Sequence, residues 1–472
     1  MSVISSILAF LVALTILIAV HEFGHFWVAR KMGVKVLRFS IGFGAPLWRR
    51  RGKDGTEYVI AWIPLGGYVH MLGEQGEDVT EAEQGQAFNQ KSVWARFAIV
   101  FAGPAFNLIF AFVAYWFLAV VGMPGIKPIL GDVATHSPAE RAGFVAQDTI
   151  VAIDGEAMAT WGAVRFALLK GVMDGRSVQV DVDTFEGRQQ RYALDLSEAF
   201  DVLQGARLSK VLGLQALRID YPARIDVLEP GGRGEIGGLQ SGDLVLSANG
   251  EKIESWFAWR MFVQERPEEP IRVVLDRNGV ITETVITPAL VSNKCRSYGR
   301  IGAGPLLPEE QLASYRAVEQ YGVFSGALNA VDKTWSMSVL MLKMIGKMVV
   351  GDASVKNISG PVMIAQVAGK TASIGYVSFI TFLAIISVSL GVLNLLPIPM
   401  LDGGHLFYYG IEIIRGKPLS ERSQQFGQSI GIALLAMLMS LALYLDLERL
   451  ITDPPCEVPV VETKSTSEIE HK

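Results

Sequence analysis

The stretch ILIAVHEFGH, residues 16–25, ends an apolar run that begins at Ser2. A run of this length predicts a helix inside a lipid bilayer. Positions i and i+4 of a helix share one face, so the imidazoles of His21 and His25 can reach one metal ion. Glu22, next to the first histidine, is placed to act as a general base toward water. The HExxH pattern therefore predicts a zinc site inside the membrane.

The cost of ionisable groups in a membrane strengthens this short pattern. HExxH also occurs by chance in helices of unrelated proteins. However, His21, Glu22 and His25 would be hard to tolerate together in hydrocarbon without a bound cation. We therefore expect residues 21–25 to bind a metal ion.

The composition indicates a membrane protein with a large polar insertion. Half of the 472 residues are hydrophobic, yet the chain has 48 glycines and a long polar middle section. The net charge of -5 gives no sign of nucleic-acid binding. Cys295 and Cys456 are too few for a cysteine-based metal site or a disulfide framework, although a bond between them stays open.

Four segments are long enough to cross about 30 Å of hydrocarbon. They are roughly Ser2–Ala29, Phe97–Met123, Ile374–Leu401 and Phe426–Leu445. The first lacks a basic segment before it and ends in HEFGH instead of a small-residue cleavage site. We therefore expect it to be a retained transmembrane helix rather than a signal peptide.

Basic residues predict the orientation of these helices. Eight lysines and arginines and no acidic residue lie from Arg30 to Lys53, and three more basic residues lie in the loop 415–422. The positive-inside rule places both loops in the cytoplasm. The metal site then lies near the cytoplasmic face, while residues 124–373 and both termini are periplasmic.

A fifth apolar stretch, Tyr321–Val350, complicates the count, because a fifth span would reverse the third predicted helix. Its polar residues share one helical stripe, at Asp332, Ser336, Lys343 and Lys347. Such a stripe favours a helix lying in the membrane interface over a spanning helix. We expect amphipathic interfacial helices within residues 311–373.

The outer region contains an internal repeat, in which Gly143 aligns with Gly238 and Trp161 with Trp256. In each copy an alternating apolar strand runs into Asp-Gly or Asn-Gly, which predicts a β-hairpin. The pattern resembles the core of a PDZ domain, a fold that binds extended peptides by strand addition. Two generic mixed α/β modules are the alternative. The PDZ domains are expected at residues 124–220 and 221–310.

The basic loop, about residues 34–73, has β character of its own. Val36–Ile41 and Tyr58–Trp62 are plausible strands, and Gly66–Met71 is apolar and flexible. One interpretation is a small hairpin packed on the helices. The other is a β-element that dips toward the membrane and offers an edge to another chain.

A third metal ligand is needed, because a catalytic zinc usually takes three protein ligands and leaves one position for water. His70, His405 and Asp402 are at suitable depth, and topology favours the last two. Pro397 and Pro399 break the third span just before them, which is tolerated in a membrane only where protein or a cavity covers the backbone. A helix-capping role for Asp402 is the alternative.

Several motifs together resemble one family. They are HEFGH, GPAFN at residues 103–107, the PDZ-like pair, and NLLPIPMLDGG at residues 394–404. Their order and spacing over about residues 1–450 are similar to the site-2 protease family of intramembrane zinc metalloproteases (peptidase family M50), in particular its bacterial regulated intramembrane proteases.

The resemblance implies roles for particular residues. It implies one zinc ion held by His21, His25 and Asp402, with Glu22 as the catalytic acid and base and His405 as a bystander. It also implies substrate contacts through Asn394, Pro397, Pro399, Gly66, Gly67, Tyr68 and Val69. The implied substrates are single-span membrane proteins of the bacterial inner membrane, such as an anti-sigma factor already trimmed outside, and also remnant signal peptides.

The expected architecture is a polytopic α-helical membrane protein. It has four transmembrane helices, a cytoplasmic re-entrant β-element, two periplasmic PDZ domains and a polar tail at residues 451–472. A non-catalytic PDZ membrane scaffold is the main rival, and it gives no reason for the ionisable residues inside the membrane. A transporter would show paired broken helices, whereas only one predicted span is broken.

Overall fold

Two compact units divide the chain in the computed structural model, which describes residues 3–74, 79–197, 199, 208–293, 296–352 and 359–451. The first unit contains Met1–Leu217 and Arg316–Asp446, and the second contains Arg218–Tyr315 and, of the described residues, also 447–451. Cys295 and Cys456, and the predicted tail beyond Ile451, lie outside the described residues.

The described chain has helices at both ends and most of its strands in the middle. The helices are α1 (Val3–Lys31), α2 (Val93–Val121), α3 (Pro138–Ala142), α4 (Trp161–Asp174), α5 (Leu208–Leu212), α6 (Arg233–Ile236), α7 (Trp256–Gln264), α8 (Glu309–Tyr315), α9 (Val323–Val350), α10 (Pro361–Ile374), α11 (Tyr376–Leu395), α12 (Asp402–Arg415) and α13 (Glu421–Ile451). The strands are β1 (Val36–Arg51), β2 (Glu57–Met71), β3 (Met123–Ile126), β4 (Thr149–Ile153), β5 (Glu156–Ala157), β6 (Val178–Asp183), β7 (Gln189–Leu194), β8 (Ile225–Leu228), β9 (Leu244–Ala248), β10 (Glu251–Lys252), β11 (Ile271–Arg277), β12 (Val280–Ile286), β13 (Ala289–Asn293), β14 (Arg296–Arg300), β15 (Ala303–Pro305) and β16 (Arg316–Glu319).

Four helices of the described chain are long and apolar enough to cross a membrane, namely α1, α2, α11 and α13. The four predicted spans are thus confirmed as helices. However, α11 stops at Leu395, short of the predicted end at Leu401. The reason is local, because Leu396 precedes Pro397 and a residue before proline disfavours helical backbone.

Close packing of α1 on α2 positions the first half of the metal motif. A Cβ at Gly24 of α1 would overlap the backbone carbonyl of Ala102 on α2, so only glycine allows this approach. On its other side, α2 buries Ala111 and Leu118 in a cluster that includes Ala384 and Val388 of α11. Helix α2 therefore holds both helices that lead into the predicted site.

Strands β1 and β2 form a ribbon that folds back on itself. Arg38 lies opposite both Glu57 and His70, and Ile41 lies opposite both Ile60 and Gly67. One half of β2 is therefore enclosed between two stretches of β1, while residues 67–71 pair with β1 on one side only. The segment Gly66–Met71, expected to be flexible, is part of strand β2, because its backbone finds a non-local partner in β1.

The internal repeat appears as two sheets of equal topology. The strand orders are β5-β4-β6-β7 and β10-β9-β11-β12, and β4 and β9 have the same pattern of buried residues. Asp154 and Asn249 have φ of 50° and 49° in matching turns, as the hairpin signals predicted. The assignment of either module as a PDZ domain stays a prediction.

Helix α9 coincides with the predicted amphipathic stretch and does not meet the criteria for a spanning helix. Its polar stripe has a protein partner, because Lys343 Nζ lies 2.5 Å from Asp174 Oδ1 of α4. Ser336 on the same stripe is buried. The stripe thus faces the first repeat module as well as solvent.

A buried ion pair distinguishes the second module. The Asp243 side chain is fully buried and lies 2.7 Å from Arg277, whose pKa is raised by the hydrogen bonds to this carboxylate. In the first module the matching Asp148 is also buried but accepts a hydrogen bond from the backbone N–H of Phe185. Burial of an aspartate at this position is common to both copies, whereas the arginine is not.

We predict that Arg277→Ala destabilises the second module by about 3–5 kcal/mol, because it leaves a buried carboxylate without its cation. Hydrogen exchange of residues 218–315 in the full chain would measure the loss. The control is Arg272→Ala on the same strand, whose ion pair with Glu283 is largely exposed and is worth less than about 1 kcal/mol. Equal exchange in both variants would contradict the prediction.

Candidate metal centre

Three side chains from two distant parts of the sequence meet at one point. His21 and His25 lie on α1, and Asp402 is the first residue of α12. The two histidine Nε2 atoms are 3.2 Å apart, and the Asp402 carboxylate oxygens lie 3.1 Å from His21 Nε2 and 3.6 Å from His25 Nε2. Among the described residues, these three form the one group of His, Cys, Asp and Glu that could hold a metal ion.

The spacing of these atoms fits zinc. Zinc bonds of about 2.0–2.2 Å in a tetrahedron place neighbouring ligand atoms about 3.3 Å apart. The three observed separations bracket that value, and two imidazoles with one carboxylate are a usual donor set for a catalytic zinc site. Three protein ligands leave a fourth position free for water or substrate.

The outer nitrogens of both imidazoles have partners on α2. His25 Nδ1 lies 2.9 Å from the carbonyl oxygen of Ile99, which fixes the proton on Nδ1 and frees Nε2 to bind a metal. The Asn107 amide lies 3.1 Å from His21 Nδ1 with its Nδ2 nearest, and its buried Oδ1 has no hydrogen-bond partner among the described residues. Rotating this amide by half a turn would give the metal-bound tautomer of His21 the acceptor it needs.

Glycine makes room for the imidazoles. A Cβ at Gly103 on α2 would overlap atoms of both His21 and His25, so the first residue of GPAFN has a steric role at the site. Neither this glycine nor Asn107 had been given a role from sequence. Asn107 was detectable there as a polar residue in a span without charges.

A tight turn delivers Asp402. Met400 has φ of 92°, and Cβ atoms at Gly403 and Gly404 would overlap the backbone carbonyls of Leu396 and Ile398. The Asp-Gly-Gly sequence is therefore needed for α12 to start against the broken end of α11. Asp402 begins a helix, as the capping alternative supposed, yet its carboxylate points to the two imidazoles.

The other candidate ligands lie elsewhere. His70 is in β2 opposite Arg38, and His405 is one turn further along α12 with its ring 6.3 Å from that of Tyr408. Neither belongs to the group that could hold a metal. The geometry therefore selects Asp402 among the three residues considered from sequence.

Glu22 and the β-ribbon lie side by side. A Cβ at Gly67 would come within 2.9 Å of Glu22 Cγ, and Glu22 directly follows His21 on α1. Tyr68 and Val69 share the one-sided stretch of β2 with Gly67, and Gly66 directly precedes that stretch. This edge of the ribbon thus runs past the site.

The remaining predicted contact residues lie on the broken end of α11. Asn394 is half-buried in the last turn of that helix, and Pro397 is exposed in the following turn. A Cβ at Gly431 of α13 would overlap the Pro399 carbonyl, so Pro399 packs on that helix. Contact of these three residues with a substrate stays a prediction.

An ion pair fixes α12 on α2. Arg96 Nη2 lies 2.6 Å from Glu412 Oε1, and both side chains are largely buried. The Arg96 guanidinium also lies 5.0 Å from the centre of the Tyr409 ring. Both partners are on α12, the helix that begins with Asp402, so Arg96 restrains the position of the third ligand candidate.

Known proteins share this sequence over most of its length. The chain matches Peptidase family M50 over residues 9–438. It is 42% identical over 455 residues to the regulator of sigma-E protease RseP of Salmonella typhimurium (strain 14028s / SGSC 2262), covering 95% of this chain and 100% of the relative. RseP of Escherichia coli (strain K12) is 42% identical over 447 residues, covering 94% and 98%, and Protease RseP of Yersinia pestis is 41% identical over 468 residues, covering 95% and 100%.

Two histidines and a carboxylate gathered between apolar helices, with a glutamate beside the first histidine, are typical of a metallopeptidase that works in a membrane. The chain belongs to peptidase family M50. It is accordingly a membrane-embedded zinc metalloprotease of the site-2 type.

We predict that Asp402→Ala purifies with little or no zinc, because the two histidines alone leave the site short of a ligand. His405→Ala is the matched control from the same helix and should keep its zinc. Metal content of the purified variants, measured by atomic emission, decides between them. Zinc lost from His405→Ala and kept by Asp402→Ala would refute the geometric assignment.

We also predict that Arg96→Ala lowers zinc affinity about 10–100-fold, the usual effect of removing a residue that orients a ligand. Competition with a chelator would measure the change. The exchanged pair Arg96→Glu with Glu412→Arg should recover part of the affinity, whereas Arg300→Ala, which breaks an exposed pair in the other unit, should change nothing. Unchanged affinity in Arg96→Ala would show that α12 is held by other contacts.

Proposed function

We propose that this protease cleaves single-span transmembrane proteins by hydrolysis at the site formed by His21, His25 and Asp402. The observation that carries the proposal is the convergence of these three ligand atoms, within 4.8 Å of one another, beside Glu22 and between apolar helices. No other group of this kind occurs in the described part of the chain.

The proposed chemistry divides between metal and glutamate. Zinc bound by the three side chains would polarise the scissile carbonyl and acidify a water molecule. Glu22 takes the proton from the attacking water and gives it to the leaving nitrogen. The Ile99 carbonyl holds His25 in the tautomer that leaves Nε2 free, and Asn107 does the same for His21 once its amide oxygen is turned toward Nδ1.

The substrate must be unwound before cleavage, because a helix hides its carbonyls in internal hydrogen bonds. We propose that the edge Gly66–Val69 pairs with the unwound backbone. This edge is free of a second strand among the described residues, and Gly67 lies against Glu22. A chain added there would pass the catalytic carboxylate, with Asn394 and the Pro397–Pro399 turn as contacts on its other side.

The substrate class follows from the relatives. Relatives named regulator of sigma-E protease are 42% identical to this chain, which supports an anti-sigma factor as substrate and a role in envelope stress signalling. We propose the bacterial inner membrane as the location, with the basic ribbon in the cytoplasm and the repeat modules in the periplasm, from the distribution of basic residues. Remnant signal peptides are a second substrate of the same chemistry.

The repeat modules are proposed as two PDZ domains. The second module has a groove of about 580 Å³ between α7 and the residues that join β14 to β15. Trp256, Trp259 and Tyr298 line it, together with residues 299–304. This groove supports contact with an extended peptide. Exclusion of bulky untrimmed substrates is a second role that we propose for the pair.

We predict that Glu22→Gln keeps its zinc but lowers kcat/KM about 10²–10⁴-fold, because only the proton transfer is lost. The assay is cleavage of a pre-trimmed single-span substrate in proteoliposomes, with zinc content measured on the same samples. Glu254→Gln, an exposed change in the second module, is the control. Full activity in Glu22→Gln would remove Glu22 from the mechanism, and an inactive wild type would favour the scaffold.

A further inference from the structure

The outer half of the β1–β2 ribbon carries an apolar face that no described residue covers. Trp48 and Ile60 lie opposite each other and are 49% and 45% exposed, and Trp62, two residues further on the same face, is 66% exposed. The other face is covered, because Val59 and Ala61 are buried. The exposed face is thus apolar by sequence and uncovered in the fold.

Four cations stand at one end of this face. Arg49, Arg50, Arg51 and Lys53 surround the turn that joins β1 to β2, and all four are exposed. Each of the two acidic residues nearby lies closest to a cation from outside the turn. Asp54 lies 3.0 Å from Arg30, and Glu57 lies 2.6 Å from Arg38 and 3.9 Å from Arg49. The turn therefore presents a local excess of positive charge.

Contacts with α1 indicate how deep these cations lie relative to the membrane helix. Gly67 lies against Ile18 and Glu22, whereas Asp54 pairs with Arg30, two turns further along the same helix. At 1.5 Å per residue, Glu22 and Arg30 differ by about 12 Å along α1. The ribbon thus runs from the level of the metal site to the polar end of α1, with the cations at the shallow end.

Polarity changes along the ribbon as it does across half a bilayer. Arg50 lies on the face of Trp48, about 7 Å nearer to the turn, and Tyr58 is opposite Arg50. Tryptophan and tyrosine concentrate at the headgroup level of membranes, and clustered arginines there attract anionic lipids. The cations lie nearest the turn and the exposed apolar side chains of Trp48, Ile60 and Trp62 lie further from it, which matches the order of phosphate and acyl chain.

We propose that the basic end of this ribbon binds anionic phospholipid headgroups while its exposed apolar face lies against their acyl chains. The occupant is a lipid rather than a protein, because the cations and the apolar face are ordered by depth along one membrane helix. The proposal is independent of catalysis, so failure of the proteolytic assignment would leave it standing.

The test is lipid binding to the full-length protein in detergent, followed by native mass spectrometry during titration with phosphatidylglycerol or phosphatidylcholine. We expect the wild type to bind phosphatidylglycerol at least about tenfold more tightly, since each basic residue near the surface contributes a factor of about five. The variant with Arg49→Gln, Arg50→Gln and Arg51→Gln should lose this preference. The matched control, Arg415→Gln with Lys417→Gln and Arg422→Gln, removes three charges from the other basic loop and should keep it.

A second variant separates the two parts of the surface. Trp48→Ser with Trp62→Ser should weaken binding of both lipids and leave their ratio near the wild-type value. Thermal unfolding of each variant checks that it is folded. A wild type without preference for phosphatidylglycerol would overturn the proposal regardless of any variant. Equal loss of the preference for phosphatidylglycerol in the triple variant of residues 49–51 and in its matched control would also overturn the proposal. The charges would then act only through the total charge of the protein.

Discussion

The approach of α1 to α2 is the contact on which the rest of this structure depends. Gly24 lets the helices meet backbone to backbone, and Gly103 leaves the space that the imidazoles fill. With larger residues at these two positions, the histidines would lose both their common focus and their partners on α2. The formation of the candidate metal site thus depends first on helix packing. Its ionisable groups are tolerated in the membrane because this packing places them next to one another.

The second constraint is the break between helices α11 and α12. Helix α11 cannot continue into Pro397, and the chain turns back through Met400 before α12 starts at Asp402. Gly403 and Gly404 leave room for the backbone carbonyls of Leu396 and Ile398, which a Cβ at either position would overlap. The turn places the Asp402 carboxylate beside the two histidines of α1. Arg96 pairs with Glu412 near the other end of α12. The break in the helix therefore brings Asp402, the third ligand candidate, to the site.

The candidate metal site could be predicted from sequence because burying charge in a membrane leaves few explanations. His21 and His25 were expected to share a cation, and Asp402 was one of the possible partners, the one that the family resemblance implied. The structure brings these three side chains together. The ribbon was harder, since glycine-rich Gly66–Met71 becomes a strand only through a partner some thirty residues earlier, at Val36–Ile41. The polar stripe of α9 was visible, but its contact through Lys343 depends on the position of a separate module. The role of Asn107 needed coordinates in three dimensions, because polarity alone says nothing about which imidazole it meets.

The doubled pairing of β1 and β2 has a consequence for how this protein can vary. Arg38 and Ile41 each face two stretches of β2, and Tyr58 and Ile60 each face two stretches of β1, so four segments share this pairing. Inserting or deleting a single residue between Tyr58 and Ile60 would turn Trp62 to the other face, since side chains alternate along a strand. Substitutions at exposed positions leave the pairing intact, and length changes are tolerated more easily in the turn between Arg51 and Glu57. Homologous chains should therefore differ in the amino-acid sequence of the ribbon more readily than in its length.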